Sequence, residues 1–122
     1  MRSIVIDGDV WRVVRVPAGD PRLIDRTGTE RLATTDQRTR TIRISDDVVP
    51  PLLDRVLLHE ISHAITVSYG LLEPLRDAIP RQAWVPSEEW AVQLLENHAI
   101  EALRLSRMVL GRPVCVREYC FD

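Results

Sequence analysis

The chain has 122 residues, of which 45% are hydrophobic and 28% are charged. That length supports one domain with a real core, and that composition excludes intrinsic disorder, collagen-like chains and coiled coils as the class of the whole chain. The net charge is −2, from 16 basic and 18 acidic side chains. The length predicts a single domain over residues 1–122. Because so small a net charge provides no field to hold a phosphate backbone, we expect no nucleic-acid partner.

The sequence also predicts a cytoplasmic protein without a membrane partner. No apolar run approaches the roughly 20 residues that a membrane span needs. The first residues lack the apolar stretch and the small-residue cleavage site of a signal peptide. Two cysteines, Cys115 and Cys120, give weak evidence for a disulfide, and without a nearby histidine they form an incomplete zinc site.

The first 45 residues have the pattern of strands and turns. Residues 4–6 and 10–16 are rich in β-branched side chains and flank an Asp-Gly-Asp sequence, which predicts a β-hairpin. Residues 17–40 are interrupted by proline and glycine, which predicts irregular structure. Polar and apolar residues alternate in Thr41–Ser45, as in a half-buried strand.

Two helices are predicted after these strands. The first covers residues 52–69, ends at Gly70, and is apolar on most sides, so we expect it to be buried. Residues 71–86 contain three prolines and predict a loop with a short helical turn. A second long helix is expected to begin at Ser87 as N-cap and to end near Leu110. The predicted class is α+β, with a small N-terminal sheet, a buried helix and a long C-terminal helix.

The first predicted helix carries the pattern H-E-x-x-H at residues 59–63. Residues four apart lie on the same face of a helix, so His59 and His63 can bind one Zn²⁺. Glu60 is rotated by about 100° from His59, which suits a base that takes a proton from a water on the metal better than it suits a ligand. The motif therefore predicts two zinc ligands and a catalytic base.

A third ligand must come from elsewhere in the chain. The candidates downstream of the motif are His98 and the carboxylates of Glu73, Asp77, Glu88, Glu89, Glu96 and Glu101. At 100° per residue, the apolar positions of the second helix centre on Glu88, whereas Glu89 lies about 100° away. A carboxylate on a buried face needs a positive partner, so helical phase favours Glu88 and leaves Glu89 and His98 as alternatives.

These residues resemble those of a known group of metallopeptidases. The motif at residues 59–63, followed 25 residues later by Glu88-Glu89-Trp90-Ala91, is similar to zincins with a glutamate third ligand, including the ImmA/IrrE-like proteins and small phage-encoded relatives. In that group a glutamate is followed three residues later by alanine, which here corresponds to Glu88 and Ala91. Val92 departs from the Asn or Asp often found next. SprT-like proteins share the first motif but use a third histidine, which would be His98.

The resemblance implies a minimal zincin domain that hydrolyses a peptide bond. Its substrate would be a protein or peptide, such as a transcriptional regulator of a phage or mobile element. We expect the strand Thr41–Ser45 to pair with an extended substrate. The main alternative is a non-catalytic binding or regulatory protein that keeps the zincin scaffold, since 122 residues leave little room for a substrate cleft.

Overall fold

A computed structural model of the chain describes residues 2–25 and 27–121. Its strands are β1 (Arg2–Ile6), β2 (Asp9–Val16), β3 (Ala33–Asp36), β4 (Thr41–Ser45), β5 (Val114–Val116) and β6 (Tyr119–Phe121), and its helices are α1 (Leu52–Ser68), α2 (Leu72–Ala78) and α3 (Trp84–Leu110). The predicted α+β class, with a small sheet and a long C-terminal helix, is confirmed. Met1 and Asp122, at the ends of the predicted domain, and Arg26, in the predicted irregular stretch, lie outside the described residues.

The predicted hairpin at the start of the chain is confirmed as β1 and β2. The two strands pair antiparallel, with Ile6 opposite Asp9. Asp7 and Gly8 between them both have positive φ, 47° and 81°. Two consecutive residues of positive φ match the right-handed twist of the flanking strands, and Asp-Gly is a preferred sequence for such a turn.

The four N-terminal strands form one sheet in the order β1-β2-β4-β3. β4 lies parallel to β2 and antiparallel to β3, so both of its edges are paired. The prediction that Thr41–Ser45 would pair with substrate is therefore wrong, because its backbone groups already bond to neighbouring strands. Four of its five residues are buried, which also makes it a central strand and not a half-buried one.

The prediction of irregular structure over residues 17–40 missed β3. The strand has only four residues, Ala33-Thr34-Thr35-Asp36, and Ala33 is its only apolar side chain. An edge strand pairs on one side only, so it needs little apolar surface, and short polar edges are common in natural sheets. The alternation that reveals a strand in a sequence is therefore absent here.

α1 packs on one face of the sheet. Trp11 of β2 is fully buried beneath it, and its indole Nε1 donates a hydrogen bond of 2.7 Å to Ser68 Oγ in the last turn of α1. Ile42, Ile44 and Ala64 complete the centre of this core. The bond at Trp11 fixes the far end of α1 against the sheet, because an indole N–H buried without a partner would cost free energy.

The helices lie close to where the sequence predicts them, but the burial of α1 and the first residue of α3 differ from the prediction. α1 spans Leu52–Ser68, but its apolar side chains are mostly half-buried, since the neighbouring elements cover it only in part. α3 begins at Trp84, three residues before the predicted start, because Pro86 is tolerated in a first turn whose N–H groups have no helical partners. The predicted loop over residues 71–86 includes α2, a seven-residue helix.

The C-terminal residues form a second, two-stranded sheet of β5 and β6. Cys115 and Cys120 lie opposite each other in this hairpin and are joined by a disulfide. The sequence contained only weak evidence for this disulfide and left the role of the two cysteines open. Among the described residues, no helix combines the length and the apolar character that crossing a membrane requires.

Candidate metal centre

α1 presents His59 and His63 on the side that faces α3. The two residues are one helical turn apart, and their ring centroids are separated by 5.0 Å. Both side chains are half-buried, with 23% of His59 and 13% of His63 exposed. The i, i+4 spacing therefore brings two imidazoles together at a partly screened position, as predicted from the motif.

The first turns of α3 place the Glu89 carboxylate between the two rings. Glu89 Oε2 lies 3.5 Å from His59 Nε2, and Glu89 Oε1 lies 3.0 Å from His63 Nε2. Ligand atoms of these three residues all lie within 4.8 Å of one another. A tetrahedral zinc with bonds of about 2.0–2.1 Å would separate its ligand atoms by about 3.3 Å. The donor set, two nitrogens and one oxygen, suits zinc, and the separations of 3.5 and 3.0 Å between the Glu89 oxygens and the two Nε2 atoms lie close to that value.

The other nitrogen of each ring is also paired with a carboxylate of α3. His59 Nδ1 lies 3.0 Å from Glu96 Oε2, and His63 Nδ1 lies 3.1 Å from Glu88 Oε2. In a neutral imidazole, a carboxylate at Nδ1 favours the proton on that nitrogen and so leaves the Nε2 lone pair for a metal. Both histidines thus have the orientation that a ligand requires.

Glu96 is itself fixed by Arg55, one turn before His59 on α1. Arg55 Nε donates a hydrogen bond of 2.7 Å to Glu96 Oε1, and its Nη2 donates one of 2.9 Å to Asn97 Oδ1. Only 10% of the Glu96 side chain is exposed. Sequence reasoning did not single out Arg55, and it considered Glu96 only as a candidate metal ligand, not as the partner of His59 Nδ1. The available signal was spacing: Arg55 precedes His59 by four residues, and Glu96 follows Glu89 by seven, two turns along the same face.

Glu88 therefore occupies a different position from the one predicted. Its carboxylate lies at Nδ1 of His63, and Glu89 is the acidic residue that faces Nε2 of both histidines. The predicted phase was centred on apolar residues alone. The one fully buried residue of α3 is Val92, about 40° from Glu88 in phase, and Glu96 lies a further 40° or so beyond it.

The face that α3 turns toward α1 thus runs between Glu88 and Glu89. Glu96 belongs to this face although it is charged, because its ion pairs with Arg55 and His59 offset the free-energy cost of burying the carboxylate. An estimate from apolar residues alone assigns Glu96 to the polar side of α3. It therefore places the centre of the inward-facing side too close to Glu88. Both glutamates consequently reach the histidines, one from each side of the packed face.

His98, the remaining alternative, lies away from this cluster. Its side chain is 63% exposed, and its Nδ1 is 3.7 Å from Glu101 Oε2 on the same helix. A histidine directed to solvent two turns beyond Glu89 does not join the two histidines of α1. The third-histidine arrangement considered from sequence is therefore not formed.

Glu60, the predicted base, points toward the sheet edge. It is buried, with 8% of its surface exposed, and its Oε2 accepts a hydrogen bond from Thr35 Oγ1 on β3. The same hydroxyl lies 3.2 Å from the Glu60 backbone oxygen. Thr35 is a second residue that the sequence did not single out, because β3 itself was not predicted. One carboxylate oxygen of Glu60 is thus fixed by β3.

A cleft of about 440 Å³ runs along the same side of α1. It is lined by Glu30, Arg31, Leu32, Ala33, Leu52, Arg55, Val56, His59, Glu60 and Glu96. Its walls are the segment that leads into β3 and the first two turns of α1. His59 and Glu60 line the cleft directly, so a molecule in it would lie against the candidate metal centre. This volume is within the range of ordinary ligand sites.

The histidines and carboxylates shift each other's pKa values. Burial lowers the pKa of His63, but hydrogen bonds to Glu88 and Glu89 outweigh it and raise that pKa to about 10. The pKa of His59 is raised, chiefly by its hydrogen bond to Glu89, and the pKa of Glu89 is lowered by His59 and His63. Protons and a metal ion therefore compete for the same imidazole nitrogens.

Comparison with known proteins identifies no relative of this chain. No family matches it, no curated protein is significantly similar to it in sequence, and no solved structure matches its fold.

Proposed function

We propose that this protein is a zinc-dependent peptidase with a minimal zincin-like domain. His59, His63 and Glu89 would hold the metal, and Glu89 replaces Glu88 as the third ligand. The observation that carries the proposal is the position of the Glu89 carboxylate, between the Nε2 atoms of two histidines whose Nδ1 atoms are each held by another carboxylate. The H-E-x-x-H motif supports the same conclusion.

Zinc held at such a site acidifies a water and polarises a substrate carbonyl. In this proposal Glu60 takes a proton from the attacking water and passes it to the leaving amine. Thr35 holds Oε2 of Glu60, which leaves the other oxygen for the proton. Glu88 and Glu96 orient the two imidazoles through their Nδ1 atoms, and Arg55 keeps Glu96 ionised and in place.

The geometry also suggests how a peptide would bind. Among the described strands, β3 pairs with β4 alone, so its other edge can accept an extended chain. That edge includes Thr35, the partner of Glu60. The adjacent cleft contains His59 and Glu60, so a peptide bond there would lie near both. By the family resemblance, the substrate would be a regulatory protein of a phage or mobile element.

Metal analysis and one isosteric variant test the proposal. We expect about one zinc per chain in protein purified without a polyhistidine tag, and its loss in His63→Ala. Glu60→Gln is expected to keep the zinc and to abolish hydrolysis of a peptide library followed by mass spectrometry. Glu73→Gln, on the exposed surface of α2, is the matched control and is expected to behave as the unaltered protein.

Three results would contradict parts of this proposal. Absence of zinc would rule out the metal centre. Peptide hydrolysis by Glu60→Gln would rule out Glu60 as the base. A zinc-loaded protein that cleaves nothing in the library would favour the alternative of a zincin scaffold used for binding or regulation.

A further inference from the structure

The second half of α3 exposes an unusual amount of apolar surface. α3 has 27 residues and α1 has 17, which correspond to about 40 Å and 25 Å of helix. Val92, near the start of α3, is the one fully buried residue of this helix. Apolar side chains nevertheless continue to its C-terminal end, where Met108 is 72% exposed and Val109 is 87% exposed.

Six exposed residues of α3 form a regular line, which we call the seam. They are Ala91, Leu95, His98, Ala102, Leu105 and Val109. Their spacings alternate between four and three residues, which is the a/d repeat of a two-stranded coiled coil. Every member is exposed, and the seam lies on a different side of α3 from Val92, which packs inward. Its position makes it available to a second helix.

The two ends of the seam have complementary shapes. At the N-terminal end, Leu75, Pro86, Ser87, Trp90 and Ala91 line an apolar hollow of about 400 Å³. At the other end, Met108 and Val109 are the most exposed aliphatic side chains of the helix. When two such helices run antiparallel, these exposed side chains of one copy meet the apolar hollow of the other.

We propose that the protein forms a two-fold symmetric dimer in which the seams of two copies pair antiparallel. In this register Ala91 of each copy faces Val109 of the other, Leu95 faces Leu105, and His98 faces Ala102. Each of these layers pairs a large side chain with a small one or two leucines with each other, so none is overfilled. The same register carries the Met108 end of each helix into the other copy's hollow.

The seam and the hollow expose large apolar side chains. Along the seam Leu105 is 48% and Val109 is 87% exposed, Met108 beside it is 72% exposed, and Trp90 at the hollow is 67% exposed. Antiparallel pairing would cover these large apolar side chains of both copies, and a specific interface buries about 800 Å² per partner. In this register Glu101 of each copy lies close to its counterpart near the two-fold axis, at the edge of the seam.

Sedimentation of the full chain with Val109→Glu and a matched variant tests the proposal. The unaltered protein is expected to have twice the 14.0 kDa chain mass. Val109→Glu places a charge inside the seam and is expected to raise the dimer dissociation constant about 30-fold or more. Ile100→Glu is the matched control, because Ile100 is 71% exposed on the same helix and lies off the seam, so it is expected to leave dimerisation unchanged.

A crosslinking experiment tests the direction of pairing. Cys115 and Cys120 are joined in a disulfide, so a short bismaleimide under non-reducing conditions reacts only with an introduced cysteine. Glu101→Cys is expected to give a covalent dimer, and Ile100→Cys is expected to give none. Circular dichroism and zinc content check that each variant is folded, independently of its oligomeric state.

Several outcomes would overturn the dimer. They are a monomer at high micromolar concentration, equal effects of Val109→Glu and Ile100→Glu, and a dimer that Glu101→Cys cannot crosslink. A monomer would assign the seam to a helix of another protein. Because the seam does not include His59, His63 or Glu89, these outcomes leave the proposed metal centre untouched.

Discussion

The first half of α3 packs three carboxylates, Glu88, Glu89 and Glu96, against α1, whereas the second half exposes aliphatic side chains such as Leu105 and Val109. This distribution differs from that of an ordinary amphipathic helix, in which charged residues face water and apolar residues face the core. These partly buried carboxylates are stable there because two histidines and Arg55 on α1 pair with them. The exposed aliphatic residues have no such partner on α1, which is ten residues shorter.

The difference shows that partners on α1, and not the apolar stripe of α3 itself, determine which face of α3 turns inward. The substitutions below separate the two halves. Changes in the first half are expected to alter metal binding, and changes in the second half are expected to leave it unaltered.

The largest effect is expected for Glu89→Ala. It removes the carboxylate that faces Nε2 of both histidines, while Glu88 still holds Nδ1 of His63. We expect zinc affinity to fall by more than the roughly 100-fold that marks the upper limit for an outer partner of a ligand. Competition with a chromophoric chelator measures this, with Glu101→Ala, exposed on the same helix, as the control. Unchanged affinity would return the third-ligand position to Glu88.

Chelator-treated, metal-free protein is expected to lose stability as the pH rises. The pKa of His63 is raised from 6.5 to about 10 in the folded protein by Glu88 and Glu89. A raised folded-state pKa contributes stability that is fully present below about pH 6.5 and is lost as the pH rises through about 10. The melting temperature of metal-free protein should therefore fall over this interval.

His63→Leu is the control for that pH dependence, because it cannot bind the proton. Its melting temperature is expected to change less between pH 6.5 and 10 than that of the unaltered protein. Zinc loading has the opposite dependence, since the metal requires neutral imidazoles, so zinc affinity is expected to rise over the same interval. If the melting temperature of the metal-free protein did not change with pH, Glu88 and Glu89 would not stabilise the protonated form of His63.

Smaller effects are expected for Glu96→Gln and Glu88→Gln. Each replaces a carboxylate at the Nδ1 atom of one histidine, at 3.0 and 3.1 Å, with an isosteric neutral amide. Loss of such an outer partner costs about 10–100-fold in metal affinity. The same chelator competition measures both variants. An effect of Glu88→Gln as large as that of Glu89→Ala would mean that Glu88 binds the metal directly.

Much of the fold could be predicted because local patterns were strong. The conformational preferences of one or two residues predict the Asp-Gly turn and the end of α3 at Gly111. Alternation of polar and apolar residues predicts the strand Thr41–Ser45. β3 could not be predicted, because a four-residue polar edge strand obtains its hydrogen bonds from β4 and leaves no pattern in its own residues. The role of Thr35 was missed for the same reason.

The site was only partly predictable. His59 and His63 depend on spacing within one helix, which a sequence shows directly. The choice between Glu88 and Glu89 depends on how α3 rotates against α1, and Glu96 helps to set that rotation through a contact 37 residues distant in the chain, to His59. Neither helical phase nor composition contains that contact.

The smallest effect is expected at the end of α3, for Gly111→Ala. Gly111 closes the helix with φ of 68°, and its N–H donates a hydrogen bond of 2.9 Å to the Arg107 oxygen. A Cβ there would meet nothing within 4 Å, so the cost is limited to the left-handed backbone, about 1 kcal/mol. We expect chemical denaturation to show a loss of that size and chelator competition to show unchanged zinc affinity. Gly70→Ala, with φ of 64° after α1 and equally open space, is the matched control: it is expected to cost a similar free energy of unfolding. A drop in zinc affinity for Gly111→Ala would show that the two halves of α3 are coupled, contrary to the separation argued above.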